Sequence, residues 1–327
     1  MSGERDPRET AAVNGGFLYT EIIDGREEGR SLLDHLASRH AHSSPAEWRE
    51  RIEAGLVLVD GRPAGEGDTL RRGQRVTWSR PPWEEPEAPM TYAVLHEDSA
   101  LLAVSKPSGL PTLPGGGYLD HTLLALVRKR YPRAVPMHRL GRGTSGIVLF
   151  ALTSHASRAV ARAWRERRVT KVYRAVVEGS PEKDVFVVDT RIGRVPHPLL
   201  GTVHAARPDG SPSRSEVRVL ERRGATSLVE VRIETGRPHQ IRIHMAACGH
   251  PLAGDPLYAA GGGLRGEGEA LPGSTGYLLH ALRLALSHPE TGEPFVVECP
   301  PPRALRGSKD SEGHSAAEPA ESNEEID

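Results

Sequence analysis

The sequence predicts an α+β fold made of a small α/β module followed by a larger, sheet-rich body. Between residues 91 and 303, short strands with alternating apolar and polar positions follow one another with few helices between them, which favours an α+β sheet over a doubly wound parallel one. A proline-rich stretch, SRPPWEEPEAP at 79–89, interrupts the chain before that body. The expected organisation is a disordered leader (1–16), a module (17–80), a linker (81–90), a main domain (91–303) and a disordered acidic tail (304–327).

Composition indicates a globular protein without a membrane segment. Hydrophobic residues make up 37% of the chain and charged residues 26%, which is ordinary for a globular domain. No apolar run approaches the roughly 20 residues that span a bilayer. The first residues, MSGERDPRETAAVNGG, lack the apolar stretch of a secretory signal, so we expect a cytoplasmic protein.

The net charge of −1 conceals a segregation of charge along the chain. Residues 1–90 carry a net −5 and residues 307–327 a net −6, whereas residues 91–306 carry a net +10. A basic central body suits a polyanionic partner such as a nucleic acid. An arginine-rich composition without such a partner is the other explanation.

The first module is expected to contain two short helices and a hairpin. RSLLDHLASRH at 30–40 has helical spacing of leucines, and Ser44 followed by Pro45 predicts the start of a helix that reaches Glu53. LVLVDGRPA then reads as strand, turn and strand, with Asp60-Gly61 as the turn. This order resembles the S-four RNA-binding module; the alternative is a small α/β adaptor with no nucleic-acid role.

The main body is expected to alternate strands with a few helices. Apolar or alternating segments predict strands at 101–106, 146–152, 171–179 and 227–234, and a helix at 154–168. Two cysteines, Cys248 and Cys299, are far apart in sequence, so neither a zinc ribbon nor a redox pair is indicated. His239 and His244 are five residues apart and have no acid or cysteine to complete a metal site, so no metal is expected.

A polar cluster lies in ETGRPHQIRIHMAACGHPLAGDPLY, residues 234–258. Pro238 is expected at the first helical position, and Gly249 just past the end of the helix. Arg237, His239 and Arg242 would then crowd the positive end of that helix, where an anion or a carboxylate can bind.

A second cluster, MHRLGRGTSGIVLF at 137–150, combines basic residues with glycines. Glycines allow close backbone approach, and arginines can contact phosphates or stack on bases. Gly-Thr-Ser-Gly does not match the G-x-S-x-G turn of serine hydrolases, and no G-K-[ST] follows, so a P-loop is excluded.

Together, five motifs in order resemble the RluA branch of the RNA pseudouridine synthases. They are LLAVSKPSGLPTLPGG, HRLGRGTSGIVLFA, KVYRAVVEG, TGRPHQIRIHMAACGHPLAGDPLY and LLHALRLALSHPETGEPF. The resemblance implies the fold of that family's catalytic domain, with a mixed, mostly antiparallel sheet. It also implies isomerisation of uridine to pseudouridine in structured ribosomal or transfer RNA, without a cofactor, by a monomer.

The resemblance also implies roles for single residues. Arg139 would enter the space left by the flipped base, Tyr173 would stack on the uracil, and Ile241 would wall the base pocket. Arg242 would pair with the catalytic aspartate and help to bind a substrate phosphate. The remaining expected RNA-binding residues are Lys106, His138, Arg142, Arg237 and His239.

One position departs from the family pattern in the centre of its chemistry. The residue after H-R-L is aspartate in the family and Gly141 here, and glycine can neither attack the ribose nor take a proton from it. Arg242 would then lack its ion partner. Either another acid (Asp120, Glu234 or Asp255) replaces the aspartate, or the chain is a catalytically silent RNA-binding or RNA-chaperone protein on the same fold; a sequence error is the third explanation.

Overall fold

The computed structural model describes residues 13–40, 43–266 and 270–308, and these divide into two compact units. Of the described residues, the first unit contains those up to Pro86 together with Pro196–Val203, and the second contains Glu87–Val195 together with those from His204 onward. Within the described ranges, no helix is long and apolar enough to cross a membrane.

The first unit is a small α/β module around an apolar core. Its strands pair antiparallel in the order β1-β4-β2-β3, and its two helices pack together. The elements are β1 (Phe17–Ile22), α1 (Leu32–Arg39), α2 (Pro45–Glu53), β2 (Val57–Val59), β3 (Arg62–Pro63) and β4 (Arg75–Arg80). Both expected helices and the hairpin are confirmed, and Ser44 and Glu47 form a capping box. Asp60 and Gly61 both have positive φ, which suits the tight turn between β2 and β3.

The ends of the chain differ from the expected boundaries. Val13 pairs with Glu84, and the Asn14 side chain donates to the Glu85 carboxylate at 2.7 Å, so residues 13–16 join the first unit rather than a disordered leader. At the other end, residues 303–305 form a 3-10 helix with Leu305 buried, so the fold extends at least two residues into the range 304–327 that was expected to be a disordered tail. Residues 1–12 and 309–327 lie outside the described part.

The second unit is built on one large sheet that is mixed and mostly antiparallel, as the sequence predicted. The main strand order is β10-β13-β14-β9-β15-β8-β6-β5, with β16 beside β15 and β7 beside β8. Its strands are β5 (Ala93–Glu97), β6 (Leu101–Lys106), β7 (Val135–Pro136), β8 (Ser145–Ala151), β9 (Thr170–Glu178), β10 (Val185–Val188), β13 (Ser215–Arg223), β14 (Thr226–Ile233), β15 (Leu279–Ser287) and β16 (Pro294–Glu298). The helices are α3 (Leu123–Arg130), α4 (Ser154–Arg165) and α5 (Gln240–Ala247), and β11 (Ile192–His197) and β12 (Gly201–Ala206) form a two-stranded sheet.

Among the described strands of this sheet one pair runs parallel, and it brings two distant motifs together. Ser145 and Gly146 of β8 face His280 and Ala281 of β15 in parallel register, whereas the other strand pairs of this sheet run antiparallel. The Ser145 hydroxyl and the His280 ring are 2.9 Å apart, and that ring also contacts the Cys299 carbonyl. This junction joins the T-S-G and L-H-A motifs at the centre of the sheet.

Gly146 is required at this junction by both its backbone and its surroundings. Its φ is +105°, and a Cβ there would stand 2.3 Å from the Ala281 carbonyl oxygen. We expect Gly146→Ala to lower the free energy of unfolding by at least about 3 kcal/mol, because the cost of a positive φ in alanine adds to the cost of the steric overlap with Ala281. Denaturant unfolding measures this.

Gly224→Ala is the matched control for that prediction. Gly224 also has positive φ, at +68°, but nothing lies within 4 Å of its added Cβ. The backbone term alone predicts a loss of about 1–2 kcal/mol. Equal losses in the two variants would contradict a steric requirement at Gly146.

Candidate active site

A pocket in the second unit collects residues from the motifs that the sequence singled out. It is bordered by the loop between β7 and β8, by β9, by the end of β14 with the start of α5, and by the segment that enters β15. Its lining residues are Arg139, Leu140, Gly141, Thr144, Tyr173, Ile233, Arg237, His239, Gln240, Ile241, Arg242, Tyr277 and Leu279. Within the part of the chain that the structure describes, no aspartate or glutamate belongs to this lining.

Helix α5 begins two residues later than the sequence predicted. Pro238 was expected at the first helical position, but the helix begins at Gln240, and His239 before it has a left-handed backbone with φ of 55°. The expected end is confirmed, since Gly249 follows the helix with φ of +89°. In this left-handed conformation the His239 ring lies edge-on to the Tyr258 ring, with its Nδ1 2.7 Å from the Tyr258 hydroxyl.

Gln240 fixes the loop that precedes α5, a role that the sequence did not reveal. Its side-chain oxygen accepts from the Thr235 hydroxyl at 2.7 Å and from the Arg237 backbone N–H at 3.1 Å. Its amide nitrogen donates to the Arg214 carbonyl and to the Ser215 hydroxyl. All its hydrogen-bonding capacity is therefore used to hold the pocket wall.

His239 is a neutral hydrogen-bond acceptor at the pocket. The Tyr258 hydroxyl donates to the His204 carbonyl at 2.8 Å, so the 2.7 Å contact to His239 makes Nδ1 the donor and leaves Nε2 without a proton. Burial, followed by the positive charge of Arg242, lowers the pKa of His239 to about 3. The ring therefore presents a lone pair, not a charge.

Arg242 has an ion partner, contrary to the expectation from the missing aspartate. Its Nε and Nη2 donate to the two carboxylate oxygens of Asp255 at 2.7 and 2.8 Å, and both side chains are buried. Asp255 also accepts from the backbone N–H groups of Leu257 and Tyr258. A bidentate pair with these additional bonds satisfies the buried charges.

None of the three acids considered as replacements lies in the pocket lining. Asp255 is fully engaged by Arg242 and backbone amides. Glu234 is partly exposed and pairs with Arg214 at 2.8 Å. Asp120 is absent from the lining as well. The hypothesis that one of these carboxylates has taken over the chemistry therefore finds no support in the geometry.

Tyr277 stands against both glycines of the G-R-G sequence. A Cβ on Gly141 would be 3.0 Å from the Tyr277 hydroxyl oxygen, and a Cβ on Gly143 would be 3.0 Å from its ring atoms Cε1 and Cζ. The same hydroxyl is 3.2 Å from the Thr144 hydroxyl, and the Arg242 guanidinium carbon lies 4.2 Å from the ring centroid. Sequence inspection missed Tyr277; the pair of glycines ahead of T-S-G was the only signal.

Lys106 and His138, both expected to bind RNA, are structural instead. Lys106 is fully buried, and its ammonium group donates to the carbonyls of Pro107, Leu110 and Arg142 at 2.7–3.3 Å. Burial lowers its pKa to about 7. It joins the first motif to the second and does not reach the surface.

His138 supports the strand behind the pocket. Its Nε2 accepts from the Leu149 backbone N–H at 3.0 Å, and its ring stacks on Trp164. Burial, with a smaller effect of the charge on Lys171, lowers the pKa of His138 to about 4. A neutral ring that accepts a backbone bond is a poor RNA ligand.

Of the other basic residues expected to bind RNA, two line the pocket and one does not. Arg139 and Arg237 are exposed and line the pocket. Arg142 does not line it; its guanidinium donates to the Gly273 carbonyl and the Tyr118 hydroxyl, both at 2.8 Å, and so ties two loops together. Only Arg139 and Arg237 of this group combine exposure with a place on the pocket.

Tyr173 and Ile241 form an apolar wall of the pocket. Both pack against the core cluster that contains Val229 and Met245. Burial raises the pKa of Tyr173 to about 12, so its phenol keeps its proton near neutral pH. Such a wall can hold a flat base but is unsuited to accepting a proton from it.

Across the residues that the structure covers, no cluster of three or more His, Cys, Asp or Glu suits a metal ion.

Comparison with known proteins identifies the family. The model of the RNA pseudouridylate synthase family matches residues 100–247. An uncharacterized RNA pseudouridine synthase of Synechocystis is 41% identical, covering 84% of this chain and 95% of the relative. Ribosomal large subunit pseudouridine synthase D of Neisseria meningitidis is 35% identical, covering 91% of this chain and 81% of the relative.

Solved structures agree with the sequence relatives. The human RNA pseudouridylate synthase domain containing 1 protein superposes with a TM-score of 0.52 at 27% identity, covering 68% of this chain and 89% of that one. Fold, pocket and relatives together define an RNA-modifying isomerase. The chain belongs to the RNA pseudouridine synthase family, in its RluA branch, as the five motifs indicated.

Breaking the buried ion pair should be costly. We expect Asp255→Asn to lower the free energy of unfolding by about 3–5 kcal/mol, because the buried Arg242 guanidinium is left without its counter-charge. Glu234→Gln, which removes the exposed pair with Arg214, should cost less than about 1 kcal/mol. Denaturant unfolding compares the two, and a similar small loss in both would contradict the role given to Asp255.

His138 should make stability depend on pH. Its folded pKa of about 4 lies below the value of about 6.5 in an unfolded chain, so between these values only the unfolded chain binds the proton. Stability is therefore lost as pH falls from 6.5 to 4, by at most about 3 kcal/mol from this residue.

The comparison of two variants tests this origin. Unfolding measured across that pH range should have a shallower slope in His138→Gln than in the wild type, whereas Val187→Ala, which changes an exposed side chain without a titratable group, should keep the wild-type slope. An unchanged slope in His138→Gln would show that its ring is not held neutral.

Proposed function

We propose that this chain isomerises uridine to pseudouridine in structured ribosomal or transfer RNA, without a cofactor. The observation that carries the proposal is the meeting of Arg139, Tyr173, Ile241 and Arg242 around one pocket, although they come from three separate motifs. Ribosomal RNA is the first substrate to test, because the Neisseria relative is named for the large ribosomal subunit.

The pocket offers distinct parts for a base and for the RNA backbone. Tyr173 and Ile241 would hold the extruded uracil between apolar surfaces, and Arg139 would fill the gap left in the RNA stack. His239 Nε2, as a lone-pair acceptor, can take a hydrogen bond from a uracil N–H group. Exposed Arg237 suits contact with a phosphate.

Arg242 takes a different part from the one the family resemblance implied. Because both carboxylate oxygens of Asp255 engage it, it would act as a fixed positive charge at the pocket rather than as a phosphate ligand. The first unit would act as an S-four-like RNA-binding module, and the protein would work as a cytoplasmic monomer. The two helices and the turn of the first unit support its proposed role as an RNA-binding module.

The test is to incubate the purified chain with ribosomal and transfer RNA from a strain that lacks it, and to read pseudouridine at single-base resolution. New sites support the proposal. RNA binding without new sites would favour the catalytically silent RNA-binding protein, which the absence of a carboxylate in the described pocket lining would then explain. If the chain neither binds nor modifies these RNAs, both functions are overturned.

Arg139 gives a prediction that depends on RNA structure. We expect Arg139→Ala to slow modification of a base-paired uridine by about 100-fold, because flipping out a stacked base costs a few kcal/mol that the arginine offsets. The loss should be much smaller on a single-stranded substrate. Single-turnover rates on paired and unpaired RNA measure the difference.

The control for this prediction is Arg158→Ala on the exposed face of α4, away from the pocket lining. It removes the same charge without touching the pocket, so both rates should stay within about twofold of wild type, as for an ordinary surface substitution. Equal losses on paired and unpaired RNA in Arg139→Ala would contradict a role in base flipping.

A further inference from the structure

We propose that the Tyr277 phenol oxygen is the nucleophile that acts on the ribose, in the place of the carboxylate absent at position 141. This inference rests on the proposed function and names the group that would carry its chemistry. Among the described residues lining the pocket there is no carboxylate, whereas Tyr277 is in the lining and is 4% exposed.

The Tyr277 hydroxyl lies where a side chain of residue 141 would extend. The Tyr277 hydroxyl oxygen lies 3.0 Å from the point where a Cβ of residue 141 would stand. A carboxylate oxygen lies two bonds, about 2.4 Å, from its own Cβ. The phenol oxygen is therefore at a comparable distance from that point.

Glycine at positions 141 and 143 is explained by the neighbouring Tyr277 and not by the backbone conformation of the glycines themselves. Neither Gly141 nor Gly143 has a φ in the left-handed region, so other residues could adopt their conformations. The nearest atoms that a side chain at either position would meet are the ring or hydroxyl of Tyr277, with the Thr144 hydroxyl farther away, at 3.6 Å from a Cβ at position 141. The Tyr277 phenol thus occupies the space that side chains at positions 141 and 143 would otherwise fill.

The ring is held in place by a close approach of two backbone segments. A Cβ on Gly254 would be 2.5 Å from the Gly276 carbonyl oxygen, and one on Gly276 would be 3.0 Å from the Gly254 carbonyl oxygen. These glycines precede Asp255 and Tyr277, the two residues that flank the Arg242 guanidinium. The hydroxyl is fixed further by its 3.2 Å contact with the Thr144 hydroxyl.

The surroundings suit an oxygen that carries negative charge during a reaction. The Arg242 guanidinium carbon is 4.2 Å from the ring centroid, and Asp255 holds that guanidinium in position. The Thr144 hydroxyl can donate a hydrogen bond to the same oxygen. A fixed cation and a fixed donor stabilise charge without having to reorganise.

The reaction balances with no further reactant. The phenol oxygen attacks C1′ of the ribose, the C1′–N1 bond breaks, and the phenol proton passes to N1 of the departing uracil. After the base turns, C5 attacks C1′, the C1′–oxygen bond breaks, and the phenolate takes the C5 proton. Tyrosine serves as the nucleophile in some glycoside-cleaving enzymes, so the oxygen is competent for this bond.

The first experiment compares Tyr277→Phe with the wild type on an RNA that the wild type modifies. The substitution removes one oxygen and keeps the ring against the two glycines. We expect kcat to fall by at least about 1000-fold, as for loss of a nucleophile, with the Kd for RNA changed by less than about threefold. Tyr92→Phe, outside the pocket lining, serves as the control and should retain activity.

The second experiment distinguishes a catalytic phenol from a structural one. Tyr277 is replaced by 3,5-difluorotyrosine, whose phenol ionises at lower pH than that of tyrosine. The rate–pH profile should shift to lower pH, whereas a hydroxyl that only packs against Thr144 would leave the profile unchanged. Mass spectrometry of rapidly quenched reactions should find ribose-linked RNA on the peptide that contains Tyr277.

The outcomes separate this inference from the proposed function. If the wild type modifies RNA and Tyr277→Phe keeps its kcat within about threefold, the inference is overturned and the function stands. An unchanged pH profile with difluorotyrosine overturns it as well. If the wild type itself binds RNA but modifies none, the proposed function fails, and the role of Tyr277 fails with it.

Discussion

The buried pair of Arg242 and Asp255 is the interaction on which the pocket depends. It joins the first turn of α5 to the loop that follows this helix, and its guanidinium lies over the rings of both Tyr258 and Tyr277. Burying two charges costs desolvation energy, and a pair of apolar residues would often be as stable. The pair therefore makes most sense as a means of fixing one positive charge at the pocket wall.

Much of the motif content serves to hold loops rather than to contact a substrate. The Lys106 ammonium group joins the first motif to the second, His138 supports β8, and Gln240 uses all its donors and acceptors on the wall ahead of α5. These side chains are polar because they satisfy buried backbone groups. Of the basic residues expected to bind RNA, Arg139, Arg237 and His239 are the ones that line the pocket among the described residues.

The sequence predicted the elements well because periodicity and capping are local. The strands at 101–106, 146–152, 171–179 and 227–234 appear within one residue of their expected ends. The helix expected at 154–168 ends earlier, at Arg165, because the chain turns at Arg167, which has positive φ. The start of α5 was mispredicted because Pro238 matches the first position of a helix, whereas His239 has a left-handed backbone conformation and the helix begins after it.

The chemistry of the site was harder to predict because it depends on contacts between distant residues. Lys106 was expected to bind RNA, since nothing nearby in sequence shows that three loop carbonyls surround it. The partner of Arg242 is 13 residues away, and Tyr277 meets Thr144 across 133 residues. A missing aspartate is visible in a sequence, but the group that fills its space is visible only in three dimensions.

The crowding around Tyr277 also limits how this protein can change by mutation. Restoring a side chain at position 141 places it against the phenol oxygen, and restoring one at 143 places it against the ring. Replacing Tyr277 alone leaves two glycines facing a void. A substitution at any one of these three positions is unfavourable, whereas the combined substitution is not, so the positions are epistatic. A lineage with this arrangement therefore keeps it, because every single-substitution intermediate is less stable.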